Sequence, residues 1–361
     1  MKTKIVYLEG RPRAHILHRR LAESITDEVE FIDARMRWQD RERSPLGLFI
    51  SWVVNALYLG RRFRGFDCFL IDNLHFTPVI MNCIYFFRRK PIIVHLGSHT
   101  MYFLYTHRFS GFNEWLHLFM LRQYDAVVCE GEMTLKMVRE LLGKRAPACY
   151  VTFLGPPKER LPTLLSLRPN LISTAILIIA NGPGKFRMHY KGLDLMIAAF
   201  QVARREDTRL SLTILGEWDD ECKRIVLTDI DADTRSAITF AGKTSSIDHY
   251  LVNAGLCLHC SRGDAFPTST IEALVAGVPT LVSEWTGTRE IVGKVEPSMI
   301  LPTDPDAIGA AIVKYFQADN DWRNALGRKL REAAMAYTEE RAIEHYQEVF
   351  GKIKSELGLK S

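Results

Sequence analysis

Residues 255–292 read as two apolar strands joined by polar turns and short helices, and this stretch constrains the fold most. Gly255–His259 predicts a strand, Ser261–Thr268 a polar turn, and a short helix would open near Ser269. A second apolar strand, 279–282, leads through a Gly-containing turn into another helix. Such alternation builds an open α/β sheet, in which the loops at the carboxyl ends of parallel strands line one crevice. The stretch therefore predicts an α/β protein that binds a ligand at this turn.

The turn and the helix that follows it combine two carboxylates with free backbone amides. Asp264 and Glu272 lie eight residues apart, and the N–H groups of Thr268, Ser269 and Thr270 lie between them. Unpaired N–H groups at the positive end of a helix dipole suit an anion such as a diphosphate. Carboxylates beside it would accept hydrogen bonds from sugar hydroxyls, so the predicted ligand is a nucleotide sugar. The alternative is a capping box, Ser269-x-x-Glu272, in which the Glu side chain contacts no ligand.

The same stretch resembles the nucleotide-sugar site of the retaining family 4 glycosyltransferases, which have the GT-B fold. Those enzymes carry a Glu, seven residues and a second Glu, then Ala-x-x-x-Gly-x-Pro, a strand ending in Ser, and a turn with Gly followed by Glu. The matching residues here are Asp264, Glu272, Ala273, Gly277, Pro279, Ser283, Gly287 and Glu290. The sequence departs at Asp264, where the family usually has Glu, and at Pro267, where it often has Gly. The resemblance implies that donor-binding residues include Asp264, Ala265, Phe266, Pro267, Thr268, Ser269 and Glu272.

A second informative segment is the loop 181–191, which opens a helix after an apolar strand and holds three cations. Lys191 matches the Lys of the family's phosphate-binding Lys-Gly pair, and its partner cation would be Lys185 or Arg187. The resemblance implies that such a charge pair stabilises the departing nucleoside diphosphate. It also implies donor contacts at Gly216 and Thr244. Without the resemblance, the loop could bind any phosphate or be a solvated turn.

In the first half, the resemblance points to Gly10, in the turn after the first strand, and to a histidine after the fourth. His95 and His99 both fit, and we favour His99 because it lies past the strand. The implied catalytic set is therefore His99, His95, Lys191 and Asp264. A lone histidine is otherwise often structural. Glu130, with Glu132 two residues on, would line the acceptor site.

The length of 361 residues exceeds what one hydrophobic core usually supports, so two domains are expected. Strands and helices alternate to about residue 153, and residues 154–172 carry four prolines typical of a linker before the alternation restarts. We predict a GT-B architecture of two Rossmann-like domains with parallel sheets facing across a cleft. The acceptor-binding domain would span 1–165 and the nucleotide-sugar-binding domain 166–338. A terminal helix over about 339–357 would cross back to the first domain and pack on it through Tyr346 and Phe350.

Hydrophobic periodicity predicts the individual elements. Strands are expected at 4–8, 29–32, 67–71, 91–96, 126–129, 149–153, 174–180, 210–215 and 237–241, besides the two named above. Helices are expected at 13–24, 46–62, 78–87, 112–122, 132–142, 323–336 and 339–354.

Cysteine and acidic patterns argue against metals. The seven cysteines are scattered and odd in number, which is typical of a reducing compartment and not of a disulfide framework. Cys257-x-x-Cys260 with His259 lies on an apolar strand without a second pair, unlike zinc sites. The run 229–233 lacks the Gly and Glu of a calcium loop. We therefore expect neither metal nor cofactor, with a nucleoside diphosphate sugar as donor substrate.

The first 165 residues are basic, with 24 Lys and Arg against 16 Asp and Glu, whereas the remainder carries 23 against 26. Arginine clusters follow apolar, aromatic segments, as at 61–64 and 88–90. This pattern would suit an anionic membrane surface, with Phe49, Trp52 and Tyr58 among the headgroups. The alternative is that residues 46–59 form a buried helix. With no secretory signal and no run long enough to span a bilayer, we expect a cytoplasmic protein, peripheral on the inner face of the membrane.

The predicted function is transfer of a sugar from a nucleoside diphosphate sugar to a glycan, lipid-linked or small-molecule acceptor. The resemblance implies retention of anomeric configuration without a metal, and nothing indicates a nucleic-acid partner. Two alternatives remain. One is a GT-B nucleotide-sugar epimerase or inverting transferase, and the other is a non-catalytic nucleotide-sugar-binding subunit.

Overall fold

The chain forms two units, each built on its own parallel sheet. The structure is a computed structural model that describes residues 3–9, 16–26, 28–33, 45–62, 65–109 and 111–359, without the side chains of residues 45, 46, 48, 98 and 99. The first unit comprises residues 1–153 and 340–361, and the second comprises 154–339. Residues 154–165, which the sequence assigned to the first domain, thus belong to the second unit.

The first unit holds a six-stranded sheet. Its strands are β1 (Ile5–Glu9), β2 (Val29–Asp33), β3 (Cys68–Asp72), β4 (Ile92–Leu96), β5 (Ala126–Glu130) and β6 (Ala148–Thr152). Its helices up to β6 are α1 (Ile16–Ile25), α2 (Pro45–Arg62), α3 (Phe76–Ile84), α4 (Ser98–Tyr105), α5 (Gly111–Leu121) and α6 (Gly131–Leu142). The strand order is β2-β1-β3-β4-β5-β6, with every pairing parallel.

The second unit repeats this plan. Its strands are β7 (Ala175–Ile179), β8 (Ser211–Leu215), β9 (Ile238–Gly242), β10 (Leu256–His259), β11 (Thr280–Ser283) and β12 (Ile300–Leu301). Its helices are α7 (Leu161–Ser166), α8 (Lys185–Tyr190), α9 (Leu193–Glu206), α10 (Asp220–Leu227), α11 (Ala232–Ser236), α12 (Asp248–Asn253), α13 (Thr268–Ala276), α14 (Arg289–Val292), α15 (Pro305–Gln317) and α16 (Asn320–Ala334). The order is β12-β11-β10-β7-β8-β9, again parallel throughout.

Central strands are buried along their whole length, which explains why they read as continuous apolar runs. All five residues of β1, β3, β4 and β5 are buried, as are the four residues of β10 and β11. Strands of parallel sheets are covered on both faces and so need apolar side chains at every position. Polar residues within these strands, such as Glu130 and His259, therefore call for a specific explanation.

The last helix, α17 (Glu339–Glu356), packs on the first unit as expected. Tyr346 and Phe350 are each 1% exposed. His345 Nε2 lies 2.9 Å from the carbonyl oxygen of Val151, and the Tyr346 ring stacks on His95 with centroids 5.7 Å apart. These contacts explain why residues after 339 belong with the first sheet.

The segment 154–172, helix α4 and several helices of the second unit, among them α10 and α15, differ from the sequence expectation. The proline-rich segment 154–172 is not a bare linker, because it contains α7 and buries Leu154, Leu164 and Leu171 in the second unit. Helix α4 was not predicted, since His99 was expected in a turn. Within the described part of the chain, no helix is both long enough and apolar enough to span a bilayer.

Candidate functional site

The loop after β10 is held by a buried network of hydroxyl groups. Thr286 Oγ1 donates to the carbonyl of His259 at 2.9 Å and lies 2.9 Å from both Ser261 Oγ and Ser283 Oγ. Ser261 Oγ in turn accepts a hydrogen bond from the Asp264 amide at 3.1 Å. Satisfied buried networks of this kind fix the surrounding backbone. The ends of β10 and β11 thereby set the position of Asp264.

Gly287 allows the next turn to close on this loop. Its amide donates to the Asp264 carbonyl at 2.8 Å. A Cβ at position 287 would lie 1.4 Å from the carbonyl oxygen of Ala265, so any side chain would displace the backbone. The glycine that matches the family pattern is thus needed for close packing of two loops.

Asp264 lies at the centre of an ion cluster. Its Oδ2 atom is 2.5 Å from Lys191 Nζ and 3.0 Å from His259 Nε2, and the residue is 7% exposed. Burial alone would raise the pKa of Asp264, but the Lys191 charge and the His259 hydrogen bond together hold that pKa well below its usual range. Asp264 is therefore a carboxylate, and two predicted site residues, Asp264 and Lys191, are in direct contact.

Helix α8 brings Lys191 to this position. Lys191 is the C-cap residue directly after the helix, and Gly192 follows in the left-handed conformation with φ of 71°. A Cβ on Gly192 would lie 2.1 Å from the carbonyl oxygen of Cys260, so the two loops touch backbone to backbone. The Tyr190 hydroxyl donates to the carbonyl of Gly263 at 2.9 Å. The phosphate-loop candidate and the Asp264 loop therefore form one structure.

The two other cations of this loop differ. Lys185 is on the surface and pairs with Glu221 at 2.9 Å. The Arg187 side chain packs its stem against Gly182, and its guanidinium makes no ion pair or hydrogen bond with any residue that the structure describes. Of the two alternatives, Arg187 is the cation left available for a ligand.

Helix α13 begins with free amides and without a side-chain cap. Its N-cap is Pro267, and Ser269 lies inside the helix with its hydroxyl donating to the Ile179 carbonyl at 3.2 Å. The capping-box alternative is therefore wrong. The Thr270 amide donates to the Pro267 carbonyl at 3.1 Å, whereas those of Thr268 and Ser269 have no partner among the described residues. Two of the three predicted amides are available to an anion.

Glu272 is partly buried on the same helix, and Arg160 lies beside it. Its side chain is 17% exposed, and burial raises its pKa while the nearby charge of Arg160 opposes this effect. Arg160 Nε is 3.9 Å from Glu272, and the arginine also forms a two-pronged ion pair with Asp248. Arg160 lies in the segment predicted to be a linker, and nothing in that prediction placed it beside Glu272.

The remaining donor-site candidates lie in or beside these loops. Ala265, Phe266 and Pro267 are buried between Asp264 and α13, and Thr268 is partly exposed. Gly216 has φ of 128°, and a Cβ there would lie 1.9 Å from the carbonyl oxygen of Ala180. The Thr244 hydroxyl closes its own turn by donating to the Ser246 carbonyl at 2.8 Å. Gly216 thus serves packing, and Thr244 shapes the loop after β9.

In the first unit, several polar side chains meet at the ends of β3, β4 and β5. His95 is 1% exposed, and its Nε2 lies 3.2 Å from Glu130 Oε1. His18, which the sequence did not single out, brings Nε2 to 2.7 Å from the same oxygen and Nδ1 to 3.4 Å from Asp72 Oδ1. Burial lowers the pKa of His18, but the charges of Glu130 and Asp72 outweigh it and raise that pKa to about 10.

Two candidates of the first unit lie outside the description. Gly10 and the side chain of His99 are not among the described parts of the chain. Glu132 is exposed, in contrast to Glu130.

His259, in the second unit, was considered in the sequence interpretation only as a possible zinc ligand. Its position in the sequence, five residues before Asp264 at the end of a predicted buried strand, could have indicated a role beside Asp264.

Residues 181–318 match the family model described as glycosyl transferases group 1. This segment contains the cation loop, Asp264, α13 and the turn at Gly287. A curated relative is an exopolysaccharide phosphotransferase of Streptomyces coelicolor, 24% identical over 233 residues. That match covers 64% of this chain but 24% of the relative, so the chain spans about a quarter of that protein's length.

Solved structures with the same fold cover nearly the whole chain. Sucrose-phosphate synthase of Thermosynechococcus elongatus is 17% identical with a TM-score of 0.72, covering 98% of this chain and 100% of that one. A trehalose-6-phosphate protein of E. coli bound with UDP-2-fluoro glucose is 12% identical with a TM-score of 0.69, covering 98% and 99%. An α,α-trehalose-phosphate synthase of Burkholderia xenovorans, in complex with glucose-6-phosphate, is 11% identical with a TM-score of 0.67, covering 97% and 99%. These likenesses show the fold.

Proposed function

We propose that this chain, a GT-B protein whose residues 181–318 match the family model of glycosyl transferases group 1, transfers a sugar from a nucleoside diphosphate sugar to an acceptor. The observation that carries the proposal is the contact of Lys191 with Asp264 at 2.5 Å in this domain. The two side chains come from separate loops that pack backbone to backbone, which makes the arrangement a preformed polar site. The acceptor would be a carbohydrate or a lipid-linked molecule bound by the first unit.

Lys191 and Arg187 would hold the diphosphate together with the amides of Thr268 and Ser269. A lysine ammonium has three donors, so Lys191 can keep Asp264 and still contact a phosphate oxygen. Arg187 has no competing partner among the described residues. These positive groups would act where negative charge develops as the diphosphate leaves, and electrostatic stabilisation of this kind is usually the largest single contribution to catalysis.

Glu272 and Asp264 would bind the two sugars of the donor. Glu272 would accept hydrogen bonds from the ribose hydroxyls, and Asp264 from a hydroxyl of the transferred sugar. Asp264 has one methylene less than the usual Glu, yet its carboxylate is oriented by both Lys191 and His259. A histidine facing the donor sugar would be His99, since His95 is buried and directed at Glu130.

The transfer would proceed with retention and without a metal at the diphosphate. The bond from the anomeric carbon to the diphosphate oxygen breaks, and its electron pair leaves with the diphosphate. The acceptor hydroxyl forms the new bond on the same face, and its proton passes to the departing phosphate oxygen. Asp264 is unsuited to be a covalent nucleophile, because its carboxylate is already engaged by two donors.

The test is donor turnover. We would incubate the chain with UDP, GDP, ADP and dTDP sugars, with and without candidate acceptors, and measure release of nucleoside diphosphate. One nucleotide class should be hydrolysed slowly even with water as acceptor, and NMR should show that the released sugar first has the anomeric configuration of the donor. Lys191→Ala should abolish release, whereas Lys223→Ala, a surface lysine of the same unit paired with Asp220, should not change it. Binding of one donor without any turnover would favour a non-catalytic binding subunit, and inversion would refute the retaining mechanism.

We also propose that the first unit rests on an anionic membrane surface on the cytoplasmic side. One face of α5 exposes Phe112, Trp115 and Phe119 at 70%, 55% and 41%. Phe86 and Phe87, at 72% and 99% exposed, directly precede the exposed Arg88 and Arg89. Aromatic side chains beside cations suit the headgroup region of an anionic bilayer.

The helix α2, predicted to be either buried or membrane-facing, is buried in part and exposed in part. Trp52 packs against Phe76 with ring centroids 4.2 Å apart, while Phe49 is 53% exposed.

Vesicle sedimentation tests the proposed binding of the first unit to an anionic membrane. The chain should bind phosphatidylglycerol vesicles more tightly than phosphatidylcholine vesicles, and a Phe87→Ser, Trp115→Ser variant should lose this binding. Equal recovery of wild type and variant with both vesicles would refute it.

A further inference from the structure

Three strands of the first sheet end in ionisable side chains that meet at one point. Asp72 is the last residue of β3, Glu130 is the last of β5, and His95 lies one residue before the end of β4 between them. Asp72 and His95 are direct partners in the parallel register, and β5 is the next strand. Helix α1 adds His18 from above the strand ends. The sequence interpretation placed His95 in the catalytic set and Glu130 at the acceptor site, but the proposed sugar transfer assigns no step to this cluster.

The distances within this cluster fit a single shared cation. Glu130 Oε1 is 2.7 Å from His18 Nε2 and 3.2 Å from His95 Nε2, and the three atoms all lie within 4.8 Å of one another. Metal–ligand bonds of about 2.0–2.2 Å place neighbouring ligand atoms roughly 3 Å apart. Among the described residues, this is the one group of three or more His, Cys, Asp or Glu side chains so arranged.

The two strand residues of the cluster have buried polar atoms that hydrogen bonds do not satisfy. His95 Nε2 and Glu130 Oε1 are both inaccessible to solvent and make no hydrogen bond of acceptable direction with any described group. Glu130 lies at ion-pair distance from both His18 and His95, and buried charges are normally paired in this way or coordinate metals. Both atoms lie within 4.8 Å of the third ligand atom, His18 Nε2.

Asp72 supplies the outer contact that metal-binding histidines usually have. Its Oδ1 lies 3.4 Å from His18 Nδ1, the ring nitrogen opposite the one that faces Glu130. Asn73 Nδ2 donates to the same Asp72 oxygen at 3.1 Å and steadies it. A carboxylate behind a histidine fixes the ring orientation and makes its other nitrogen a better ligand.

We propose that His18, His95 and Glu130 bind one divalent transition-metal ion, with Asp72 as the positioning residue behind His18. Two imidazoles and one carboxylate suit Zn²⁺, and the same ligand set is used by Fe²⁺. The ion would tie α1 to the ends of β4 and β5 in the first unit. This departs from the sequence expectation of a protein without a metal site, and it does not depend on the proposed sugar transfer, whose diphosphate ligands belong to the second unit.

Metal analysis of the whole, tag-free chain tests the proposal. After treatment with chelator and dialysis against Zn²⁺ or Co²⁺, we expect about one equivalent of metal per chain, visible d–d absorption with Co²⁺, and a higher melting temperature than the metal-free form. His95→Gln and Glu130→Gln should lose the metal. The matched control is His107→Ala, an exposed histidine of the same unit that pairs with Glu114, and it should keep one equivalent. Asp72→Asn should bind about 10–100-fold more weakly.

The rival occupant of the cluster is a proton on His18. If the wild-type chain retains neither Zn²⁺ nor Co²⁺, and neither ion raises its melting temperature, the cluster is a charged imidazole held by two carboxylates and the proposal is wrong. Retention of metal by both ligand variants would equally overturn it. Should the variants fail to fold, the wild-type stoichiometry and the Co²⁺ spectrum still decide the question.

Discussion

Replacing Lys191 by Met should destabilise the second unit, because it leaves the Asp264 carboxylate buried without its main cation. Removing one partner of a buried pair costs about 3–5 kcal/mol. Lys191 is 18% exposed and His259 stays 3.0 Å from Asp264, so we expect a cost at or just below the lower end of this range, about 2–3 kcal/mol. For a domain of this size, about 2–4 °C are lost per kcal/mol, so the melting temperature should fall by roughly 4–12 °C.

The assay is a double-mutant cycle of Lys191→Met, Asp264→Asn and the double variant, followed by circular dichroism during chemical and thermal unfolding at pH 7. We expect a coupling energy of at least about 1 kcal/mol, because contacting residues are not additive. The pH dependence of the free energy of unfolding is a second, independent test of the ion pair. The pKa of Asp264 lies below its unfolded value, so its contribution is present at neutral pH and is lost as pH falls below about 4. Wild type and Lys191→Met should therefore converge in acid. Strictly additive single variants, with a difference that persists in acid, would refute the ion pair.

Two further substitutions test other parts of the site. Gly287→Ala places a Cβ against the Ala265 carbonyl and should cost about 3 kcal/mol or more, whereas Gly351→Ala, with open space around it, should not lower the melting temperature. A melting temperature for Gly287→Ala equal to wild type would contradict the close packing. Glu272→Gln should stabilise the unliganded protein at neutral pH while weakening nucleotide binding, since a raised pKa means that ionisation of Glu272 costs stability as pH rises. Denaturation of this variant measures the change in stability, and nucleotide titration measures the change in affinity. A less stable variant would show that the contact of Glu272 with Arg160 stabilises the protein more than burial of the carboxylate destabilises it.

Eleven of the twelve described strands could be predicted to within a residue or two, because burial on both faces leaves a continuous apolar run, whereas the two-residue strand β12 was not predicted. Helix α4 could not be predicted, since its aromatic residues between 101 and 105 give no clear polar face. The segment 154–172 was predicted to be a linker because prolines interrupt regular structure. Prolines do not indicate whether their neighbours are buried, and Leu164 is fully buried. Local composition thus predicts elements better than their packing.

Within the candidate site, the Asp264 loop and Lys191 could be identified because their spacing matches the motifs of the glycosyltransferase family that the sequence resembles. Spacing alone left a capping box or a solvated turn as alternatives. Contacts between distant parts of the chain could not be identified. Arg160 faces Glu272 across 112 sequence positions, and His18 meets Glu130 across the same number. Pairing of this kind depends on the order of strands in the sheet, which a single sequence does not encode locally.

The most direct test of the nucleotide-sugar site is thermal-shift screening of the purified chain against UDP, GDP, ADP, CMP and dTDP sugars. A ligand at a hundred times its dissociation constant stabilises the folded state by about 2.7 kcal/mol. One nucleotide class should raise the melting temperature by roughly 5–10 °C. Glu272→Ala and Lys191→Ala should abolish the shift, and Lys223→Ala should retain it. If no nucleotide shifts the wild-type protein, or if both site variants respond as the wild type does, then Asp264, Lys191 and Glu272 do not form a nucleotide-sugar site.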